Sequence, residues 1–311
     1  MRRIFVFFPL LMCALCFFNS CDRGSVNNKS SVFAKSDNFD YDDEYEEQEA
    51  ESGESDAEEE TYNSLEAEAE CAEGLAQVPY TQLEQPGPIN GERETILFKN
   101  QFIISFNANY LCPFYVAWHL TKDRVKGNAR RVDEFIPDYV LSESSRVETS
   151  DYYGSGYDRG HMCPAGDNKN DAEAMKQSFM MTNICPQNHE LNSGIWNDLE
   201  QLCRQWVKDY GDLYVVCGPV FDGKNPKKIG KRKNMKIAVP DRFFKCVLMM
   251  GRTPKAIAFI FPNRNADKDL RDYCVSVDKV EKITGIDFFP KLDDSVEKRV
   301  EKECNPAAWG I

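Results

Sequence analysis

The 311-residue sequence is short of histidine, with only three, so chemistry that relies on imidazole has few places to sit. Lys and Arg are absent altogether from residues 37–70, which hold 17 Asp and Glu. A low-complexity stretch of one charge sign repels itself and cannot bury a core, so it is excluded from the folded part and reads as an extended acidic tether. Nor are bases in excess beyond residue 70. Residues 1–36 carry +4, from Arg2, Arg3, Arg23, Lys29 and Lys35 against Asp22, and residues 71–311 hold 33 bases and 33 acids. The formal net charge of −13 therefore belongs to the acidic stretch. A neutral domain cannot attract polyanions by bulk charge, and a basic face has to come from uneven placement. Internal repeats are also lacking, and the length suits one large domain or two ordinary ones.

What is present begins at the N-terminus. Arg2 and Arg3 precede an apolar run, Ile4 to Phe18, of signal-peptide length and too short for a comfortable membrane span. The Asn-Ser-Cys that follows resembles a bacterial lipoprotein cleavage site, with Cys21 as the lipid-bearing first residue. Phe18 departs from the Leu-like residue usual there, and an ordinary signal peptide followed by a chance Cys is the alternative. Both readings make the chain an exported one. With the lipid it would be anchored to a membrane, in the periplasm or at the cell surface. Setting aside Cys13, Cys16 and Cys21 leaves nine cysteines. Some should pair in an exported protein, at least one is left over, and spacing does not give the connectivity.

The expected organisation is a signal peptide over 1–20, a polar segment over 21–36, a disordered acidic tether over 37–94, and a domain over 95–311. PGPINGERE (86–94) breaks the chain before that domain. Residues 96–106, 113–120, 212–221, 236–240, 243–250 and 255–262 have strand composition. A Pro-Asp turn in VPDRFFK suggests a hairpin between the strands on either side of it. NDAEAMKQSFMMTN (170–183) reads as a helix with Asp167 or Asn168 near its cap. In 191–211, Ile195, Leu199, Leu202, Cys203, Trp206 and Tyr210 recur at helical spacing and Gly211 closes the run. SVDKVEKITG (276–285) is a shorter helix, with Ser276 as cap and Gly285 at its end. Apolar strands with interspersed helices argue an α+β domain.

One histidine, His161, lies in YDRGHMCPAGDNK (157–169). By itself it fits a surface or packing role as well as a chemical one. His161-x-Cys163 and Cys185-x3-His189 also offer the ligand types zinc favours, although the spacing matches no common zinc pattern. Downstream, Asn183, Asn192, Glu200 and Arg204 are spaced 9, 8 and 4. Glu200 and Arg204 fall one helical turn apart, on the flank of the apolar stripe, where they would look along the helix surface. Asn192, at the start of the helical run, also suits a cap.

DRGHMCPAGD, TNICPQNHELNSGIWNDLE, VVCGPVF and VPDRFFKCVL, in this order, resemble the DNA/RNA non-specific endonuclease family, the group of sugar-non-specific nucleases and endonuclease G. VEKITGIDFFPKLDDSVEKRVE (280–301) is similar to family members too, so the resemblance covers about 95–311. It implies a ββα-metal fold, with a mostly antiparallel sheet flanked by helices. It also implies Mg²⁺-dependent hydrolysis of DNA and RNA to 5′-phosphate ends; Mn²⁺ or another divalent ion is possible. In this reading His161 is the general base and Asn192 the direct metal ligand, with Glu200 acting on the metal through water. Arg159 and Arg204 would grip the phosphate, and Asn183 would contact phosphate or hold the site in shape. These residue types suit the chemistry. A neutral imidazole takes a proton from water, a carboxamide oxygen suits a hard ion, and guanidinium groups meet phosphate oxygens. Asp158 would fix the loop or an arginine. A Cys163–Cys185 disulfide would pin the strand of the base to the segment leading to the metal helix; two packed free thiols are the alternative. The densest basic run, 224–236, has seven Lys and Arg and would lie along a nucleic-acid backbone or be a solvated loop. Arg130 and Arg131 resemble a phosphate-binding family position. Two other readings stay open: a nucleic-acid-binding lipoprotein without catalysis, and a zinc-stabilised surface module.

Overall fold

The computed structural model describes residues 82–132 and 134–311. The expected signal peptide, Cys21 and the acidic stretch lie outside the described residues.

Seven strands form one antiparallel sheet, in the order β1-β2-β3-β6-β9-β10-β11. Its members are β1 Thr95–Phe98, β2 Ile103–Asn107, β3 Cys112–Leu120, β6 Leu213–Val220, β9 Arg242–Met249, β10 Lys255–Pro262 and β11 Cys274–Val275. Two ribbons stand apart from it: β4 Asp158–His161 with β5 Ile184–Gln187, and β7 Lys228–Ile229 with β8 Ile237–Ala238. The helices are α1 Lys122–Val125, α2 Ala172–Ser178, α3 His189–Ser193, α4 Ile195–Tyr210, α5 Val277–Thr284 and α6 Asp294–Lys302.

Central strands are apolar on both faces, which requires cover on both sides. The alternation of the pleat divides them into two cores. Leu213, Val215 and Cys217 of β6, with Phe243 and Val247 of β9, join Trp196, Leu199, Cys203 and Trp206 of α4 on one face. Tyr214 and Val216, with Phe244, Cys246 and Leu248, join Val277, Val280 and Val300 of α5 and α6 on the other. The α+β class and the mostly antiparallel central sheet agree with the expectation.

Several local readings need correction. Residues 96–106 are not one strand but a hairpin, because the chain turns at 99–102 and Leu97 pairs with Ile104. Order begins before residue 95: Leu83 and Ile89 are buried in the second core, and Gly87 N–H donates to the Asp287 carbonyl at 2.8 Å. The tether boundary at 94 is therefore too late by at least this segment. VPDRFFK does not join a hairpin, since β8 pairs with β7 while β9 pairs with β6 and β10. Asp171, not Asp167 or Asn168, caps α2, accepting from the Glu173 and Ala174 N–H groups. The long helix is interrupted at Gly194, where a Cβ would press on the Glu190 carbonyl; only a glycine lets α3 pass so directly into α4. Ser276 and Gly285 bound α5 as read.

Candidate active site

The DRGH stretch is strand β4, and it pairs residue by residue with β5: Asp158 with Gln187, Gly160 with Cys185, His161 with Ile184. The motif's glycine has a steric reason. A Cβ on Gly160 would meet Gln187 Oε1 and lie 2.6 Å from the Gln187 Cβ, so any side chain would part the ribbon. Beyond β5, Asn188 caps α3 by accepting from Leu191 N–H. This relieves Asn192 of the capping role that its place in the sequence suggested and puts it inside α3.

Asp158, Arg159, His161 and Asn192 line one cleft of about 440 Å³, together with Arg131 and the aromatic walls Phe135, Tyr152, Tyr153 and Tyr157. Asp158 does not fix an arginine. Its Oδ2 accepts from Asn192 Nδ2 at 3.0 Å and meets His189 Nδ1 at 2.9 Å. The Asn192 amide is thus oriented through its nitrogen, and its Oδ1 is left without a protein partner among the described residues.

His161 packs edge-on against Phe179, ring centroids 4.7 Å apart, and lies 5.3 Å from Phe135. The same two rings carry guanidinium groups: Arg131 sits 4.9 Å from the Phe179 centroid and Arg159 4.5 Å from that of Phe135. Burial, with Arg131 and Arg159 adding to it, lowers the His161 pKa from 6.5 to about 3. The ring is neutral at ordinary pH. Its Nε2 is buried and has no hydrogen-bond partner among the described residues, so none of them competes for that nitrogen. Because the folded-state pKa lies below the unfolded one, the unfolded chain takes up this proton first. The stability concerned is present above about 6.5 and is lost as pH falls toward about 3.

Glu200 and Arg204 do not look along an exposed surface, and they do not pair with each other. Their side chains are 12% and 19% exposed, in a polar cluster between α4 and the sheet. Arg204 Nη1 donates to Asp167 Oδ1 at 3.0 Å, and Trp118 Nε1 donates to Asp167 Oδ2 at 3.1 Å. Glu200 Oε1 is 3.9 Å from the Nζ of Lys245, which is 1% exposed and rests 4.2 Å from the Trp196 ring centroid. Burial raises the Glu200 carboxyl more than Lys245 and Arg204 pull it down. Lys245 escaped the sequence reading. The available signal was a lone cation at an inward position of an alternating strand, between Phe243 and Val247.

Asn183 is fully buried, and its amide is committed to the backbone. Oδ1 accepts from Cys163 N–H at 2.9 Å, while Nδ2 donates to the Cys163 and Ser178 carbonyls at 2.8 Å each. It ties the exit of β4 to the end of α2 and has no free group for a phosphate. Of its two expected roles, these bonds suit holding the site in shape and leave no N–H for a phosphate.

The Cys163–Cys185 bridge is not formed. Both are buried free thiols. Cys163 accepts from Asn168 Nδ2 at 3.5 Å, and Cys185 is buried in the first core along with Cys112. Burial pushes the Cys163 thiol up to about 12, which makes it a poor nucleophile for exchange. Denaturation in alkylating reagent without reductant, followed by peptide mapping, should find Cys163 and Cys185 each carrying its own alkyl group; a linked peptide pair would contradict this. Nor do His161, Cys163, Cys185 and His189 gather as a metal set among the described residues, so the zinc reading loses its basis.

The basic run contains β7 and the turn that leads into β8. Lys227 Nζ donates to the Tyr157 hydroxyl at 3.1 Å, and Lys231 lies 5.3 Å from the Tyr153 ring centroid. Both tyrosines wall the cleft, so the uneven placement demanded by a neutral domain puts cations beside it. Arg232 pairs with buried Asp151, which anchors the ribbon.

A neutral imidazole, an unspent carboxamide oxygen and two guanidinium groups in one cleft make a site suited to an anionic ligand. The sequence comparisons agree with that class. The profile of the DNA/RNA non-specific endonucleases matches residues 80–295. The mouse (Mus musculus) mitochondrial nuclease EXOG is 35% identical over 233 residues, 70% of this chain and 62% of its own length. A nuclease of Nostoc sp. is 36% identical over 222 residues, 68% of this chain and 78% of its own length. The chain spans 54–62% of the mouse, zebrafish and frog EXOG proteins it matches. The crystal structure of an EndoG/EndoGI complex, described as showing the mechanism of EndoG inhibition, superposes with a TM-score of 0.59 at 28% identity, covering 64% of this chain and 86% of that one. The chain belongs to the DNA/RNA non-specific endonuclease family.

Proposed function

We propose that the protein is a divalent-metal-dependent endonuclease that hydrolyses DNA and RNA with little sequence preference. The observation that carries this reading is the cleft itself, where a neutral His161 stands beside Arg159 and Asn192, and where His161 Nε2 and Asn192 Oδ1 have no hydrogen-bond partner among the described residues. A carboxamide oxygen held in place by Asp158 fits a hard ion such as Mg²⁺ or Mn²⁺, which takes oxygen ligands and keeps most of its water. Asn192 would hold the ion, and Glu200 would reach it through water from the adjoining cluster. When bound, the ion supplies charge neutralisation at the phosphate.

The chain's own groups do the rest. His161 accepts the proton of the attacking water. Arg159 and Arg131 meet the phosphate oxygens, and Arg204, set by Asp167, adds positive field from behind. Asn183 keeps β4 in place. Departure of the 3′ oxygen, which takes a proton from solvent water, leaves 5′-phosphate and 3′-hydroxyl ends. Contacts to phosphate carry no base information, which accounts for weak specificity. The Arg2-Arg3 start, the apolar run and Cys21 support export and a lipid anchor at the membrane. Incubating the full chain with supercoiled plasmid and with RNA, in Mg²⁺ and in EDTA, tests the function. Cleavage of both in Mg²⁺ alone is expected; folded protein inert across several divalent ions would refute it.

The depressed His161 pKa has a kinetic consequence. The acid limb of kcat/KM, which reports the free enzyme, should lie well below 6.5. Arg131→Ala removes a nearby positive charge and should move that limb upward. A limb unmoved by the substitution would show that His161 does not set it.

A further inference from the structure

On the sheet face opposite the cleft, α5 and α6 bring three carboxylates together. One oxygen each from Asp278, Glu281 and Glu301 lies within 4.8 Å of the others, a spread close to the reach of a single oxygen-ligated ion. None of the three forms an ion pair among the described residues. Glu281 Oε1 accepts from Phe288 N–H at 2.9 Å, which fixes that side chain and leaves its other oxygen available. Glu301 is the informative member. It is only 5% exposed, and its Oε1 is buried without any hydrogen-bond partner. It also occupies the last turn of α6, the helix end where a negative charge is disfavoured. A carboxylate there, unpaired and facing two others, lacks a counter-charge.

We propose that Asp278, Glu281 and Glu301 form a divalent-cation site of the calcium class, separate from the cleft, which clasps α5 to α6. Calcium accepts irregular sets of carboxylates and water, whereas magnesium demands a small regular octahedron and gives up its waters reluctantly. Glu297, Asp287 and Asp294 stand in the same field and strengthen the preference for a doubly charged ion. The alternative counter-charge is a proton: burial and the neighbouring Glu281, Glu297, Asp278 and Asp287 push the Glu301 carboxyl up to about 9. Cation and proton therefore compete for one place.

Thermal unfolding of the full chain separates them, carried out on an Asn192→Ala background so that the cleft does not contribute. Roughly millimolar Ca²⁺ should raise the midpoint over EDTA by about 5 °C, and Mg²⁺ at the same concentration by much less. Glu301→Gln preserves shape and removes one like charge. It should raise the midpoint in EDTA and abolish most of the Ca²⁺ increment. An equal Ca²⁺ increment with and without Glu301→Gln overturns the site. So does a midpoint that ignores Ca²⁺ while rising on acidification, which would assign the place to a proton.

Discussion

His161→Ala should lower turnover on DNA and RNA by roughly 10²–10⁴-fold, the usual contribution of a positioned base, while DNA binding in EDTA stays unchanged. The imidazole makes no hydrogen bond that the fold depends on; it packs between Phe135 and Phe179. Removing it leaves Arg131 and Arg159 on their rings and Asn192 on Asp158, so the groups proposed to bind phosphate and metal survive. Binding and turnover should therefore part company in this variant. A fully active His161→Ala protein would remove the general-base role. Loss of binding together with turnover would make the residue structural.

Lys245→Met should destabilise the fold by about 3 kcal/mol near neutral pH, the scale for stripping one partner from a buried pair. The methionine keeps the stem between Trp118 and Trp196, so the cost is electrostatic, with only Arg204 left to offset the buried Glu200 charge. The sign with pH follows from Glu200, whose carboxyl burial already raises. A raised acid favours the protonated form in the folded state, so the penalty is absent below the unfolded carboxylate pKa and grows as pH rises through the folded one. Denaturant unfolding at mildly acidic and at mildly alkaline pH should give the smaller loss in acid. Adding Glu200→Gln should recover most of it. A loss independent of pH and not relieved by the second substitution would mean packing, not charge, is at stake.

The parts of the site that share one chain segment were legible in the sequence. DRGH and the spacing of Asn192, Glu200 and Arg204 are local patterns, and the ribbon and helices that carry them form where composition puts them. What was not legible depends on which segments meet. Nothing in the order of residues says that Asp158 will face Asn192 rather than an arginine, or that Asn188 will take over the cap. Asn183 has a residue type that suits a phosphate contact, but its amide is consumed by backbone groups that only the folded chain supplies. Glu200 and Arg204 looked exposed because a helical wheel has no knowledge of Lys245 and Asp167 arriving from a strand and a loop. Cys163 and Cys185 sit two residues from site positions, yet Cys163 is turned to Asn168 and Cys185 is packed into the first core. The early start of order has the same origin: Leu83 and Ile89 are unremarkable in a Pro/Gly-rich stretch until the second core receives them.

The dependence of the cleavage rate on Mg²⁺ concentration, compared for wild type, Asn192→Ala and His161→Ala, tests the central claim most directly. Asn192→Ala should shift half-saturation to higher Mg²⁺, and His161→Ala should leave half-saturation in place while lowering the plateau. An Asn192→Ala protein saturating at the wild-type Mg²⁺ concentration, or a His161→Ala protein reaching the wild-type plateau, would contradict the assignment of metal and proton to these two residues.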